Sequence, residues 1–115
     1  MFKLAQSPAY WWPVSFSLPS DTDPGKRQDH GFEAQFKRLD NAQYQALMER
    51  VESERLVDGL FCKEVMQSFR GVLDDRDTEI PFSEQALQQL MLVPGVAMAT
   101  AKAFFASRDG APEKN

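Results

Sequence analysis

Two segments near the start of the chain alternate apolar and polar residues, and this pattern limits the fold more than any other feature. The first segment is Tyr10–Leu18, in which every second side chain is apolar: Trp12, Val14, Phe16 and Leu18. The second segment, Phe32–Lys37, alternates in the same way. A period of two places one apolar face on each strand, so we expect two half-buried strands that pair antiparallel. Pro13 removes a backbone donor, which places it near a sheet edge or at the start of its strand.

A polar stretch separates the two predicted strands. It runs from Pro19 to His30 and consists almost entirely of turn-forming and charged residues. It is long for a hairpin connection, so we expect a mobile loop over residues 19–30. Such a loop is either a binding element or a solvated excursion without a role, and the sequence does not distinguish these two readings.

Helical spacing dominates after residue 40. Asp40 and Gln43 form a capping-box pattern at the start of a first helix predicted over Asn41–Arg55. A second helix is predicted from about Leu60 to a point near Gly71.

The remaining elements are predicted from turn and cap residues. Turn-forming residues over Val72–Phe82 predict a turn or small hairpin, and Ser83 caps a third helix. Pro94 is expected to open a fourth helix through Phe105, because proline is well accommodated in a first helical turn. Residues from Ser107 to the end are expected to fray.

These elements predict an α+β fold, with a small antiparallel N-terminal β-hairpin or sheet followed by a bundle of about three to four α-helices. The 115 residues make one domain. We divide it into a strand-rich part (1–39), a helical part (40–107) and a flexible tail (108–115).

Composition excludes several classes of function. Thirteen Lys and Arg against 17 Asp and Glu give a net charge of -4, which opposes binding to a nucleic-acid backbone. No apolar run reaches the roughly 20 residues that span a bilayer, and the start of the chain lacks a signal-peptide pattern. The single cysteine, Cys62, fits a reducing compartment. We therefore expect a cytoplasmic protein that binds neither nucleic acid nor membrane.

The residues that carry enzyme chemistry are isolated in the sequence. His30, the only histidine, lies in the polar stretch, where nothing orients it as a general base. Cys62 lies in the apolar second helix and is interpreted as a buried core residue. The acidic run at Asp75, Asp77 and Glu79 lacks the glycine and the later glutamate of a calcium loop. We therefore predict a non-enzyme, with no catalytic residue, metal site or cofactor.

Two pairs of adjacent aromatic residues are the candidate contact residues. Trp11 and Trp12 point to opposite faces of a regular strand, and Phe104 and Phe105 cannot both point fully inward on a helix. One reading is structural: the first helix covers the second sheet face, and both phenylalanines pack in a core or subunit contact. The other reading assigns Trp11, Phe104 and Phe105 to partner binding, because interfaces are enriched in aromatic side chains.

The order of motifs in the chain resembles the tail assembly chaperones of long-tailed bacteriophages. Those proteins have a helix that ends in an aromatic residue, a charged or polar residue and then glycine-valine. An acidic turn, a proline-phenylalanine-serine helix start and a proline-glycine-valine break follow. The matching segments here are Val65–Asp75, Ile80–Ser83, Leu87–Val96 and, in the front half, Trp12–Val14 and Phe32–Lys37. Phe69 departs from the family pattern, where tryptophan is commoner, and Asp77-Thr78 stands where a glycine is more usual.

The resemblance implies a non-enzymatic role in tail assembly. Such a chaperone binds the tape-measure protein, keeps it soluble in the host bacterial cytoplasm, helps recruit tail-tube subunits and is absent from the mature virion. Self-association is also expected. Members of the family are often made in two forms through a programmed frameshift. Glu113-Lys114-Asn115 permits this, because GAA-AAA-AAC would encode those residues and contains a slippery run.

Two other functions fit the same features. A small structural virion component, such as a head–tail joining or tail completion protein, also needs a compact domain with a mobile loop. An acidic regulatory protein that mimics nucleic acid would need a dense acidic face. Here the acids are interspersed with arginines such as Arg50, Arg55 and Arg70, which disfavours that reading.

Overall fold

The computed structural model describes residues 1–110 and has an α+β fold, as predicted. A three-stranded antiparallel sheet packs against helices, and the last strand follows the second helix in the chain. The elements of this part of the chain are β1 (Ala9–Pro19), β2 (Arg27–Lys37), α1 (Asn41–Ser53), α2 (Asp58–Val65), β3 (Met66–Arg70), α3 (Glu84–Met91) and α4 (Val96–Asp109). Residues 111–115, which hold the possible frameshift codons and most of the expected tail, lie outside the described residues.

The sheet has the order β1-β2-β3, so β1 is an edge strand and Pro13 lies at the edge, as its missing donor predicted. β1 and β2 pair antiparallel from Ala9↔Lys37 to Pro19↔Arg27. The prediction of a loop over residues 19–30 was therefore wrong in its bounds, because only residues 20–26 connect the strands.

Contacts across the hairpin account for the longer second strand. The Arg27 guanidinium donates to the Ser17 carbonyl at 2.8 Å, and the His30 ring stacks on Phe16 with centroids 5.7 Å apart. The connection is closed by Ser20 N–H, which donates to the Lys26 carbonyl at 2.8 Å. Side-chain pairing therefore carries the strand through a sequence that reads as polar loop.

The second helix was expected to reach Gly71, and this prediction was wrong, because Met66–Arg70 forms β3 beside β2. Met66 and Phe69 are both buried although they are three residues apart, a spacing typical of a helix. A register shift at Phe36 of β2 adds one residue to β3, so both side chains face the core. The irregular pairing thus produced the spacing that was read as helical.

Two helix starts agree with their predicted caps. The Asp40 carboxylate accepts from Gln43 N–H at 2.8 Å, and the Gln43 side chain accepts from Asp40 N–H, which completes the capping box of α1. Ser83 Oγ accepts from Ala86 N–H at 3.0 Å at the start of α3. These bonds satisfy backbone donors that have no partner within the helix.

Helix α4 differs from its prediction at both ends. Pro94 lies in the turn before it, and Gly95 precedes its first residue with φ +83°, which favours glycine. At the other end the helix continues past Phe105 to Asp109. Arg108 Nη1 donates to the Leu39 carbonyl at 2.6 Å and so ties the last turn to the β2–α1 connection. The expected fraying from Ser107 was wrong for these residues.

The segment between β3 and α3 forms the small hairpin that its turn residues predicted. Leu73 and Glu79 pair as an isolated antiparallel bridge. Asp74 Oδ1 accepts from the backbone N–H groups of Arg76 and Thr78, both at 2.9 Å. The acidic turn is thus held by a local aspartate bond network.

The core lies between the inner face of the sheet and α4, with α2 beside it. Phe104 is its centre, in edge-to-face contact with Phe36 of β2 at 5.4 Å and Phe61 of α2 at 5.7 Å between ring centroids. The largest fully buried side chains are Phe36, Phe104, Val14, Val65, Val96, Thr100 and Cys62. One apolar core therefore joins the strand-rich and helical parts.

Candidate functional site

Phe104, one of the three residues assigned to partner binding, has no exposed surface in the described fold. Its ring fills the space between the sheet and α2, as described above. A side chain in this position stabilises the fold and is not available to a partner. Phe104 is therefore a core residue and does not form part of a binding surface in this fold.

Phe105 is half-buried and lies beside the same core. Its ring stacks on Phe61, with centroids 5.3 Å apart and planes at 23°. The expectation that only one of the adjacent phenylalanines points fully inward is confirmed. The Phe105 ring also contacts Phe104, with centroids 5.7 Å apart, so part of its surface packs against the core.

Trp11 lies on the outer face of the sheet, opposite Trp12, as the period of the strand predicted. The guanidinium of Arg70 in β3 covers the Trp11 ring, with Cζ 4.0 Å from the ring centroid. Arg70 is itself oriented by Glu33, whose Oε1 accepts from Nε at 2.8 Å. The structure therefore does not bring Trp11 together with Phe104 and Phe105.

A different set of apolar residues is open to solvent, in a groove between α2 and α3. Val57 is 66% exposed, Leu60 is 52% exposed and Leu92 is 79% exposed. Together with half-buried Met91 and the buried Leu87 they line a cavity of about 760 Å³, which we call the α2–α3 groove. Exposed apolar side chains gathered in one concave surface mark a site of protein or ligand binding.

The helix period explains why the groove stays open. In α2, Phe61, Cys62 and Val65 point into the core, which leaves Leu60 on the outer side of the helix. In α3, Leu87 and Leu90 point inward, and Leu92 at the end of the helix points out. Both helices therefore carry apolar residues beyond those that the core can cover.

The rim of the groove is polar and carries both signs of charge. Lys63 stands on the α2 side and Glu84 on the α3 side, with Gln85 and Gln88 between apolar positions. Such an arrangement suits an amphipathic segment, whose apolar side enters the groove while its polar flanks meet the rim. Among the described residues that line the groove there is no serine, threonine, cysteine or histidine.

Cys62 lies on the core side of α2, and its chemistry agrees with the predicted core role. The side chain is fully buried, and its thiol donates to the Ala97 carbonyl with Sγ 3.3 Å from the oxygen. Burial raises the pKa of Cys62 to about 12, with a smaller contribution from the Asp58 carboxylate. The thiol is therefore protonated at neutral pH and is a poor nucleophile.

The acidic residues of the small hairpin serve its backbone. Glu79 Oε1 accepts from Gly71 N–H at 2.8 Å, and Asp74 caps the turn. Within residues 1–110, no three His, Cys, Asp or Glu side chains gather in a way that would hold a metal ion. Two acids of this hairpin, Asp74 and Glu79, therefore serve to hold its backbone.

Sequence reasoning missed the groove because it interpreted the apolar second helix as core and assigned partner binding to Trp11, Phe104 and Phe105 instead. Runs of consecutive apolar residues could have indicated the groove. Leu92 follows Leu90 and Met91, and three consecutive apolar residues cannot all face one side of a helix. Leu60 and Phe61 are also adjacent, so they cannot both point fully into the core.

Within residues 1–110, no single helix is long and apolar enough to cross a membrane, and α3 with α4 reaches that length only as a pair bent by 105°. The sequence matches no protein-family model, and no curated protein or solved structure matches it.

Proposed function

We propose that this protein is a non-enzymatic tail assembly chaperone of a long-tailed bacteriophage, which binds the tape-measure protein through the α2–α3 groove. The proposal combines the order of sequence motifs with one structural observation, the open apolar groove. Leu87–Val96, one of the segments on which the resemblance is based, supplies one wall of that groove. The two arguments therefore refer to the same part of the chain.

The groove has the chemistry that an apolar helix of the client requires. Val57, Leu60 and Leu92 are more than half exposed, so a helix seated among them would remove their side chains from water. Complete burial of a side chain of this size stabilises a complex by about 1.5–3 kcal/mol before the costs of association. A few such contacts give binding that is specific and still reversible, as a chaperone needs.

The net charge of the chain also supports the proposed role. The chain has a net charge of -4, so a complex that covers an apolar helix with this protein gains negative charge. Like charges on neighbouring complexes repel and oppose aggregation. In this proposal the chaperone acts in the host bacterial cytoplasm, self-associates along the client, recruits tail-tube protein and leaves before the virion is complete. Several copies along one client would add avidity.

Co-expression with the tape-measure protein of the same phage or prophage tests the proposal. Without the chaperone we expect the tape-measure protein to be insoluble, and with it we expect a soluble complex that co-purifies. Leu60→Asp places a charge in the groove and should abolish co-purification. Leu73→Asp is the matched control, because Leu73 is 54% exposed against 52% for Leu60 and lies in the small hairpin.

Three results would count against the proposal. Failure of the wild-type chain to solubilise the client would remove the chaperone role. Equal loss with Leu60→Asp and Leu73→Asp would remove the groove as its site. Stable incorporation into purified particles would favour the alternative, a small structural virion component.

A further inference from the structure

A second cavity, of about 480 Å³, lies where β1 begins and α4 ends. Tyr10, Trp11 and Trp12 of β1 line it, with Tyr10 and Trp12 on the core-facing side of the strand, and Ser107 of α4 lies opposite. Tyr10 and Ser107 share a hydrogen bond, with their oxygens 2.7 Å apart. The volume of this cavity is within the range of small-ligand sites. Two arginines form its other walls.

Arg38 is the first residue after β2, and its side chain lines the cavity. Its Nε donates to the Ser7 carbonyl at 2.8 Å, and its guanidinium lies over the Tyr10 ring with Cζ 4.8 Å from the centroid. These two contacts orient the guanidinium, while no protein acceptor within residues 1–110 engages its two terminal nitrogens. An oriented guanidinium loses little entropy when it binds an anion.

Arg108 enters the same cavity from the last turn of α4. Nη1 donates to the Leu39 carbonyl at 2.6 Å and Nη2 donates to Asn41 Oδ1 at 3.3 Å. The guanidinium also lies over the Tyr44 ring, with Cζ 4.0 Å from the centroid. Its position is therefore fixed by backbone, amide and ring contacts, none of which neutralises its charge.

No carboxylate balances these two charges within the described residues. The ion pairs there involve Arg50 and Arg70 as the cations, and the cavity wall contains no acidic side chain. Asp40, close in sequence to Arg38, uses its carboxylate to cap α1. Among residues 1–110, two guanidiniums without an acidic partner thus line one cavity, although the chain has more acidic than basic residues.

We propose that this cavity binds a carboxylate that is attached to an apolar body. The guanidiniums supply charged donors of the kind that carboxylates prefer, and the aromatic side chains cover the apolar part of the ligand. A free small carboxylate and the acidic side chain of an extended peptide share this chemistry. The site is separate from the α2–α3 groove and does not depend on the proposed function.

Tryptophan fluorescence reports directly on this cavity, because the chain has two tryptophans and both line it. The test titrates the full chain with sodium hexanoate at constant ionic strength, and with hexanamide as the uncharged isostere. We expect a saturable change with hexanoate, at a Kd of about 1 mM, and none with hexanamide. Arg38→Gln should weaken binding at least tenfold, whereas Arg76→Gln, which removes the same charge from the small hairpin, should not.

The variants also separate binding from folding. Arg38→Lys retains the charge but not the planar fork, so it should bind with intermediate affinity, and circular dichroism should show all variants folded. If a variant at Arg38 does not fold, Arg108→Lys replaces it, with weaker binding expected. The absence of saturation with hexanoate, or equal affinity in wild type and Arg38→Gln, would overturn the proposal.

A peptide arm distinguishes the two sources of the carboxylate. An acetylated and amidated hexapeptide with one central glutamate is compared with its glutamine counterpart. Tighter binding of the glutamate peptide than of hexanoate indicates that a protein segment is the ligand. Binding of hexanoate alone indicates a small molecule, and binding of neither contradicts the proposal.

Discussion

Two apolar regions of this protein lie on opposite sides of α2 and differ in whether the chain itself covers them. Around Phe104, the sheet, α2 and α4 close completely, and the aromatic rings meet at 5.4–5.7 Å between centroids. In the α2–α3 groove, Leu92 remains 79% exposed and Leu60 52% exposed. The first region stabilises the fold, and the second has apolar surface that a partner would have to cover.

The largest expected difference comes from truncating one side chain in each region. Phe104→Ala should lower the free energy of unfolding by about 3–5 kcal/mol, because it leaves a cavity among packed rings. Leu92→Ala should change it by less than about 0.5 kcal/mol, because the side chain is already solvated. Urea unfolding followed by circular dichroism measures both changes. Similar losses in the two variants would show that the groove is part of the core.

The Cys62 thiol lies on the closed side of α2 and makes that side sensitive to alkaline pH. The pKa of Cys62 is raised by burial from its unfolded value near 9 to about 12, so folding favours the protonated thiol. This contribution is complete below pH 9 and is lost as the pH rises from 9 towards 12. Wild type should therefore lose more stability over this interval than Cys62→Ala does. A parallel decrease in both proteins would contradict the assigned role.

A small increase in stability is expected on the open side of the helix. Gly59 lies in the first turn of α2, and a Cβ added there would meet Met91 Cβ at 3.8 Å, an ordinary van der Waals distance. Gly59→Ala should therefore raise the free energy of unfolding by about 0.5 kcal/mol through lower chain entropy in the unfolded state. Client binding should persist, because the added methyl group lies at the base of the groove. A loss of stability would show that the added methyl group clashes with Met91.

The smallest effect is expected at the solvated ion pair that joins α1 to α2. Arg50 donates to Glu64 Oε1 at 2.8 Å and holds the pKa of Glu64 below its usual value. That contribution is present above the unfolded pKa of glutamate and is lost as the pH falls through the folded one. Both side chains are well exposed, so Glu64→Gln should change stability less than Gly59→Ala does. Acid unfolding of the wild type and of Glu64→Gln, compared side by side, measures this contribution.

Much of the fold followed from local patterns in the sequence. The period of two placed β1 and separated Trp11 from Trp12, and cap residues at Asp40 and Ser83 located the starts of α1 and α3. These features depend on neighbouring residues, so they can be read directly from the chain.

The features that were missed depend on contacts between distant segments. β3 was read as helix because a bulge opposite β2 buries Met66 and Phe69 three residues apart. The start of β2 at Arg27 depends on pairing with β1, which its polar sequence does not show. The α2–α3 groove was missed for a related reason. Whether Leu60 and Leu92 are covered depends on how two helices pack, and helical periodicity alone does not determine that.

The central claim, that the α2–α3 groove holds the tape-measure protein, is tested most directly by hydrogen exchange with mass spectrometry. Exchange of the wild-type chain is compared with and without the co-purified client. We predict slower exchange over residues 57–63 and 84–92, with no change in the small hairpin over residues 72–80. Unchanged exchange over 57–63 and 84–92 in a complex that is otherwise intact would contradict the claim.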